Sequence, residues 1–194
     1  MKRKIALLNI IVLLLFALPL YAGAPLDAVK ANVNKVLEVL RDPKLKAESA
    51  KKEKLLPIYE RMFDDVELSK RTLAKNWNSM SAAQRQEFVK LFREVLEKAY
   101  IDKILAYTDE KIVFDKENTV SASQAEVQTR IVTSSKEIPI SYRVILKGSD
   151  WKVYDVVIEN VSLVLNYRTQ FNDILAKNTT EQLLETLRKK VKGQ

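Results

Sequence analysis

From residue 26 to residue 105 the apolar positions recur every three or four residues; from 111 to 159 they recur every second residue. That switch of period predicts helices followed by a sheet. Leu26–Arg41 is an amphipathic helix, with Leu26, Val29, Val33, Val36, Leu37 and Leu40 on one face and Asp42-Pro43 ending it. Lys44–Lys54 is dominated by charge and reads as a solvated helix or loop. Leu55–Phe63 is apolar around Pro57. Asp64 or Asp65 can cap a helix over Val66–Trp77, whose inner face is Leu68, Leu73 and Trp77. Ser81 and Gln84 form a capping box. They open the longest stripe: Phe88, Leu91, Phe92, Val95, Leu96, Ala99, Tyr100, Ile104 and Leu105.

Lys111–Asp115, Glu126–Thr133, the alternating run Ile138, Ile140, Tyr142, Val144, Leu146, and Trp151–Glu159 then read as four antiparallel strands in a meander. Gly148-Ser149-Asp150 is the turn of the last hairpin. The final strand has two apolar faces: Trp151, Val153 and Val157 alternate with Tyr154, Val156 and Ile158. A solvated sheet normally keeps one face polar, so either protein or an apolar ligand covers the second. The chain returns to helix with Leu163, Tyr167, Phe171, Ile174 and Leu175. A second capping box, Thr179 and Gln182, starts a last helix whose C-terminal end is basic. The fold class is α+β: a four-stranded antiparallel sheet packed against several helices.

Composition removes more function than it adds. The 194 residues contain no Cys and no His, so Ser-His-Asp triads, Cys-His nucleophiles and His-rich zinc sites cannot be built. There is no G-x-x-x-x-G-K-[ST] motif. Lys2, Arg3 and Lys4, the apolar run Ile5–Leu18, Pro19 and the small residues Ala22, Gly23 and Ala24 make a signal peptide, with cleavage expected after Ala22. A membrane anchor is the competing reading, but the run is shorter than the roughly 20 residues a span needs. Without residues 1–22, 30 basic residues face 25 acidic ones, a net charge of +5. That suits an anionic surface or acidic partner. It is too modest and too interspersed for nucleic acid. Residues 23–194 are expected to form one domain, and a monomer.

The segment Trp151–Phe171, WKVYDVVIENVSLVLNYRTQF, resembles the signature of the MlaC/toluene-tolerance family, W-x-V-Y-D-V-x-I-E-G-V-S-L-V-x-N-Y-R-x-Q-F. Asn160 stands where the family usually has Gly, and Asn is the next most tolerant residue for positive φ. The likeness extends upstream through Phe63–Asp64, Trp77, Gln84, Phe88, Phe92, Leu96 and Tyr100. It implies a periplasmic phospholipid carrier, not an enzyme. The implied architecture is an NTF2-like cone with a curved sheet and an apolar cavity between sheet and helices. The implied partners are an inner-membrane ABC transporter with an MCE-domain subunit and an outer-membrane lipoprotein complex, and the implied role is maintenance of outer-membrane lipid asymmetry. No cofactor or metal is expected; phospholipid is the cargo.

On that reading Val144, Leu146, Val153, Val157, Leu163, Val164, Tyr167 and Phe171 line the cavity from one side. Trp77, Phe88, Phe92, Tyr100 and Ile104 line it from the other. Each of them fits an ordinary core equally well. Arg168 is placed to meet a lipid phosphate bidentately, or else to pair with Glu159 or Asp155. Asp155, inside an apolar strand, is expected to be satisfied by a backbone or Tyr partner. Two alternatives remain. One is a carrier of another apolar cargo, such as a hopanoid, another terpenoid or a quinone. The other is a carboxylate-based hydrolase using Asp64, Asp65 or Asp155.

Overall fold

A computed structural model describes residues 24–107 and 110–193; the expected signal peptide lies outside the described residues. The elements run α1 (Pro25–Arg41), α2 (Glu48–Met62), α3 (Asp65–Leu73), a 3-10 segment (Ala74–Ser79), α4 (Ala82–Leu105), β1 (Lys111–Ser121), β2 (Gln124–Val132), β3 (Glu137–Lys147), β4 (Asp150–Ile158), β5 (Val161–Ser162), α5 (Leu163–Leu175) and α6 (Thr180–Lys192). No helix among the described residues is long and apolar enough to cross a membrane.

The helix starts follow local chemistry. Pro25 opens α1, where its missing N–H costs nothing. Asp64 caps α3 by accepting from the Glu67 amide. Both expected capping boxes form, at Ser81/Gln84 on α4 and Thr179/Gln182 on α6. The charged segment after Lys44 becomes helical from Glu48, and α2 carries Pro57 within it. The helix expected over Val66–Trp77 stops at Leu73, because Ala74 takes φ +48° and the chain tightens into the 3-10 segment. Two side-chain bonds hold that segment: Asn76 donates to Asn172, and Arg85 donates to the Trp77 carbonyl.

The sheet is a five-stranded antiparallel meander in the order β1-β2-β3-β4-β5, not the four strands expected. The extra strand is two residues long, too short to show a period. Gly148 turns the β3–β4 loop at φ +62°. Glu159 and Asn160, at φ +48° and +67°, make the turn into β5, so the Asn that departs from the family pattern does adopt positive φ. Strand β4 is not left with an open edge. Its last residues pair with β5, and the Asp64 amide donates to the Val153 carbonyl lower down. That edge is where α3 and α5 join the sheet.

Two apolar cores result. One lies among α3, α4, α5 and α6 and is built on Phe88, Phe92 and Phe171 with Leu183, Leu184 and Leu187. The other lies between α1 and the sheet and is built on Val29, Val33, Met62, Ala125, Val127, Val144 and Val153. Phe63 packs against both. In the helical core Phe88, Phe92, Tyr167 and Phe171 touch one another, with ring centroids 5.0 to 5.7 Å apart, mostly edge to face. Phe171→Ala should therefore cost about 3–5 kcal/mol. Urea unfolding should show the midpoint falling sharply; an unchanged midpoint would mean the cluster is not close-packed.

Candidate functional site

Strand register defines which side chains share the sheet face beneath α1. Between β2 and β3 the pairs Ala125–Val144, Val127–Tyr142, Thr129–Ile140 and Ile131–Ile138 are unbroken. β1 adds Ile112 opposite Ile131 and Phe114 opposite Thr129. β4 adds Trp151 opposite Leu146 and Val153 opposite Val144, then Val156 opposite Tyr142 and Ile158 opposite Ile140. The phase slips between Val153 and Val156 because Arg143 pairs with Asp155 while Val144 pairs with Val153. Tyr154 is thus the extra residue of a β-bulge.

The slip corrects one expected lining residue. Val157 pairs with Ser141 and Ser162, on the face opposite Val156 and Val153. Strict alternation put Val157 with Val153; one inserted residue reverses that. The outer face of β4 is not uniformly apolar, since Lys152 and Asp155 share Val157's side by register.

The inner face is unevenly covered. Near the β3–β4 turn, Ala125, Val127, Val144 and Val153 are fully buried under α1. Towards the other end, Ile112, Phe114, Ile131, Ile138, Ile140, Val156 and Ile158 are only half-buried. Of these, Ile131, Ile138, Ile140 and Ile158 belong to neither core. The polar groups in the middle are satisfied internally. Thr129 donates to the Ile140 carbonyl, and the Tyr142 phenol bonds Thr129, with burial pushing it up to about 12, so it stays neutral. A half-covered patch of branched apolar side chains, without a free charge among those named, can take up a hydrocarbon.

The remaining expected lining residues separate into groups. Val144, Val153 and Leu146 lie on this inner face. Phe88, Phe92, Val164 and Phe171 are buried in the helical core, with Trp77, Tyr100 and Tyr167 half-buried against it. Leu163 is half-buried at the start of α5, and Ile104 is exposed near the end of α4. The first expected wall therefore divides between the two cores, Val144 and Val153 in one and Val164, Tyr167 and Phe171 in the other, while Trp77, Phe88, Phe92 and Tyr100 of the second belong with the helical core. The patch Ile131, Ile138, Ile140 and Ile158 was not singled out from sequence, although the alternation of 138 and 140 was visible there.

The carboxylates named for a hydrolase each have a structural partner. Asp64 caps α3 and lies 3.4 Å from Lys147. Asp65 accepts from the Tyr59 hydroxyl, with Arg93 3.9 Å away; burial raises its carboxyl above the usual range. Asp155 is buried. Its Oδ2 accepts from Arg143 Nη1 at 3.0 Å and from Ser162 Oγ at 2.6 Å, and its Oδ1 accepts from the Val164 amide at 3.0 Å. A backbone partner was expected; Arg143 and Ser162 were not. Arg168 pairs with neither Glu159 nor Asp155. Its Nε and Nη2 both donate to the Arg71 carbonyl, in the last turn of α3.

Two hollows of about 320 and 310 Å³ lie away from the half-covered patch. The first is on the outer side of the sheet, among Arg71, Glu126, Arg143, Asp155 and Arg168. The second is bordered by Ala28, Asn32, Arg61, Asp150 and Trp151.

A family model described as MlaC protein matches residues 30–189. The chain belongs to the MlaC family. It is 28% identical over 119 residues to the intermembrane phospholipid transport system binding protein MlaC of Haemophilus influenzae, a stretch covering 59% of this chain and 56% of that protein. It is 24% identical over 176 residues to the toluene tolerance protein ttg2D of Pseudomonas putida, covering 87% of this chain and 82% of that one. Its fold matches a phospholipid-binding protein from Ralstonia solanacearum, solved in complex with a phospholipid. That match has a TM-score of 0.81 and 19% identity, and covers 88% of this chain and 98% of that one. The α+β architecture expected from sequence is thus that of a solved phospholipid-binding protein.

In this MlaC-family chain Asp155 ties β4 to β3, β5 and α5 at once. Asp155→Ala leaves the Ser162 hydroxyl and Val164 amide without their acceptor. The expected loss is about 2–4 kcal/mol, read as a lower thermal midpoint; a wild-type midpoint would show these bonds to be dispensable.

Proposed function

We propose that this chain is a periplasmic phospholipid-binding carrier, whose cargo tails lie on the half-covered inner sheet face around Ile131, Ile138, Ile140, Val156 and Ile158. The observation that carries this reading is that patch of in-register apolar side chains, of which Ile131, Ile138, Ile140 and Ile158 lie outside both cores. The relatives' names and the phospholipid bound to the Ralstonia protein support it. The basic, apolar and small-residue succession at the N-terminus supports export.

The physical task is to keep hydrocarbon from water. Each methylene withdrawn contributes about 0.8 kcal/mol, so a diacyl lipid with roughly thirty chain carbons faces a cost on the order of 20 kcal/mol in free solution. A carrier that covers the tails and leaves the head group wet removes that barrier. Opening α1 or the Phe63 junction would extend the patch towards Val144, Val153, Leu146 and the helical residues Tyr167 and Tyr100. No nucleotide-binding loop is present, so direction and energy come from partners. An inner-membrane ABC transporter with an MCE-domain subunit and an outer-membrane lipoprotein complex are the proposed ones. Shuttling between them would maintain outer-membrane lipid asymmetry. Another apolar cargo, such as a terpenoid, would use the same face, and its identification belongs to the same experiment.

Native mass spectrometry of the purified protein should show a bound lipid, and organic extraction should identify it as a phospholipid. Protein that stays empty after incubation with vesicles would refute the carrier reading. Ile140→Arg and Val156→Arg put a charge in the tail site and should cut retention by more than about tenfold. Val157→Arg, one residue away on the outer face, should retain lipid. Equal loading of all three variants would remove the inner face as the site.

A further inference from the structure

A hollow of about 320 Å³ lies on the outer side of the sheet. Three guanidinium groups border it from three different elements: Arg71 from α3, Arg143 from β3 and Arg168 from α5. Two carboxylates border it as well, and both are already engaged. Asp155 is buried with its three donors, and Glu126 accepts from Arg143 at 3.2 Å and from Gln128 at 2.9 Å. Arg143 serves both of these carboxylates, and Arg71 pairs with Glu67 just beyond the lining.

Arg168 is the guanidinium of the lining left without a carboxylate. Among the described residues no carboxylate lies within ion-pair distance of it. Its acceptor among the described residues is the Arg71 carbonyl, which takes Nε and one Nη2 hydrogen and leaves Nη1 for another partner. Arg71 also has donors to spare. Its Nε bonds Glu67 at 2.8 Å, and its guanidinium carbon lies 3.9 Å from the centre of the Tyr154 ring. Arg143 spends Nε on Glu126 and Nη1 on Asp155, leaving Nη2. The Val164 and Leu165 amides of α5 already donate to Asp155 and Ser162.

We propose that this hollow binds a phosphate group. A carboxylate is planar and is satisfied by one guanidinium fork. Spare N–H donors of guanidinium groups from three separate elements, around a pocket of this volume, suit a tetrahedral anion with oxygens facing several ways. Val120 and Leu165, which are 67% and 50% exposed, stand on the same hollow, and Val161, 52% exposed, precedes α5. Apolar groups beside a phosphate site fit a phosphate that carries an organic substituent. Its source is either a lipid head group or a soluble phosphate ester. The site is on the sheet face opposite the proposed tail patch, so it does not rest on that patch being occupied.

Titration of the isotope-labelled full protein with inorganic phosphate should shift the amides of residues 164–168 and the Arg side-chain Nε signals saturably. Chloride at matched ionic strength should not. Arg168→Gln should weaken the phosphate response about tenfold or more, and Arg188→Gln, whose guanidinium lies among Glu87, Glu181 and Glu185, should leave it intact. Leu165→Glu, at an exposed position, should weaken it too, and tests the site even where Arg168→Gln fails to fold. Absence of saturation, an equal chloride response, or wild-type affinity in both site variants would overturn the assignment. Flotation with phosphatidylglycerol vesicles separates the sources. Vesicle binding lost in Arg168→Gln and Leu165→Glu makes the ligand a lipid head group; saturable phosphate binding without vesicle binding makes it a soluble ester. Lipid loading of Ile140→Arg reads the tail patch separately, so either reading can fail alone.

Discussion

The buried carboxylate of Asp155 is the joint on which the molecule's two halves turn. A charged oxygen pair inside an apolar strand is costly unless every lone pair is used. Here the donors come from three elements: Arg143 on β3, Ser162 at β5 and the first turn of α5. The acid therefore fixes where the chain leaves the sheet and in which direction α5 starts. α5 in turn carries Tyr167 and Phe171 into the helical core. Remove that anchor and the helical core loses its registration against the sheet.

Closure of the β4 edge does the complementary work. β5 covers one stretch and the Phe63–Asp64 segment another, so β4 offers little free backbone to a neighbouring chain. Phe63 then packs against both cores. With the α3–α6 core held at the β4 edge and α1 over one end of the sheet, the other end of the inner face is covered by neither core. An apolar surface that is partly covered and partly open suits the proposed carrier role: such a protein must stay folded when empty, yet gain from accepting a tail.

Much of this was legible from the chain. The period change at residue 111, both capping boxes, the Gly148 turn and the positive φ of Asn160 are local effects, decided within a few residues by hydrogen bonding and backbone sterics. The family signature at Trp151–Phe171 pointed to the same fold that the solved structure shares. The errors are equally specific. The aromatic stripe Phe88, Phe92, Phe171 was indistinguishable in sequence from a cavity wall, because periodicity reports which side is apolar and not what lies against it. It packs largely against itself.

The sequence alone determined the order of elements, most of their ends, the α+β class and the family. Tertiary structure decided which apolar residues share a face and which are covered. One bulge residue, Tyr154, turned Val157 to the opposite side from Val153, and two residues of β5 with Phe63–Asp64 closed an edge that pattern had left open. Arg168 likewise found a carbonyl 97 positions away instead of a nearby acid. Hydrogen-bond register and long-range pairing set these outcomes, and neither leaves a periodic trace in the chain.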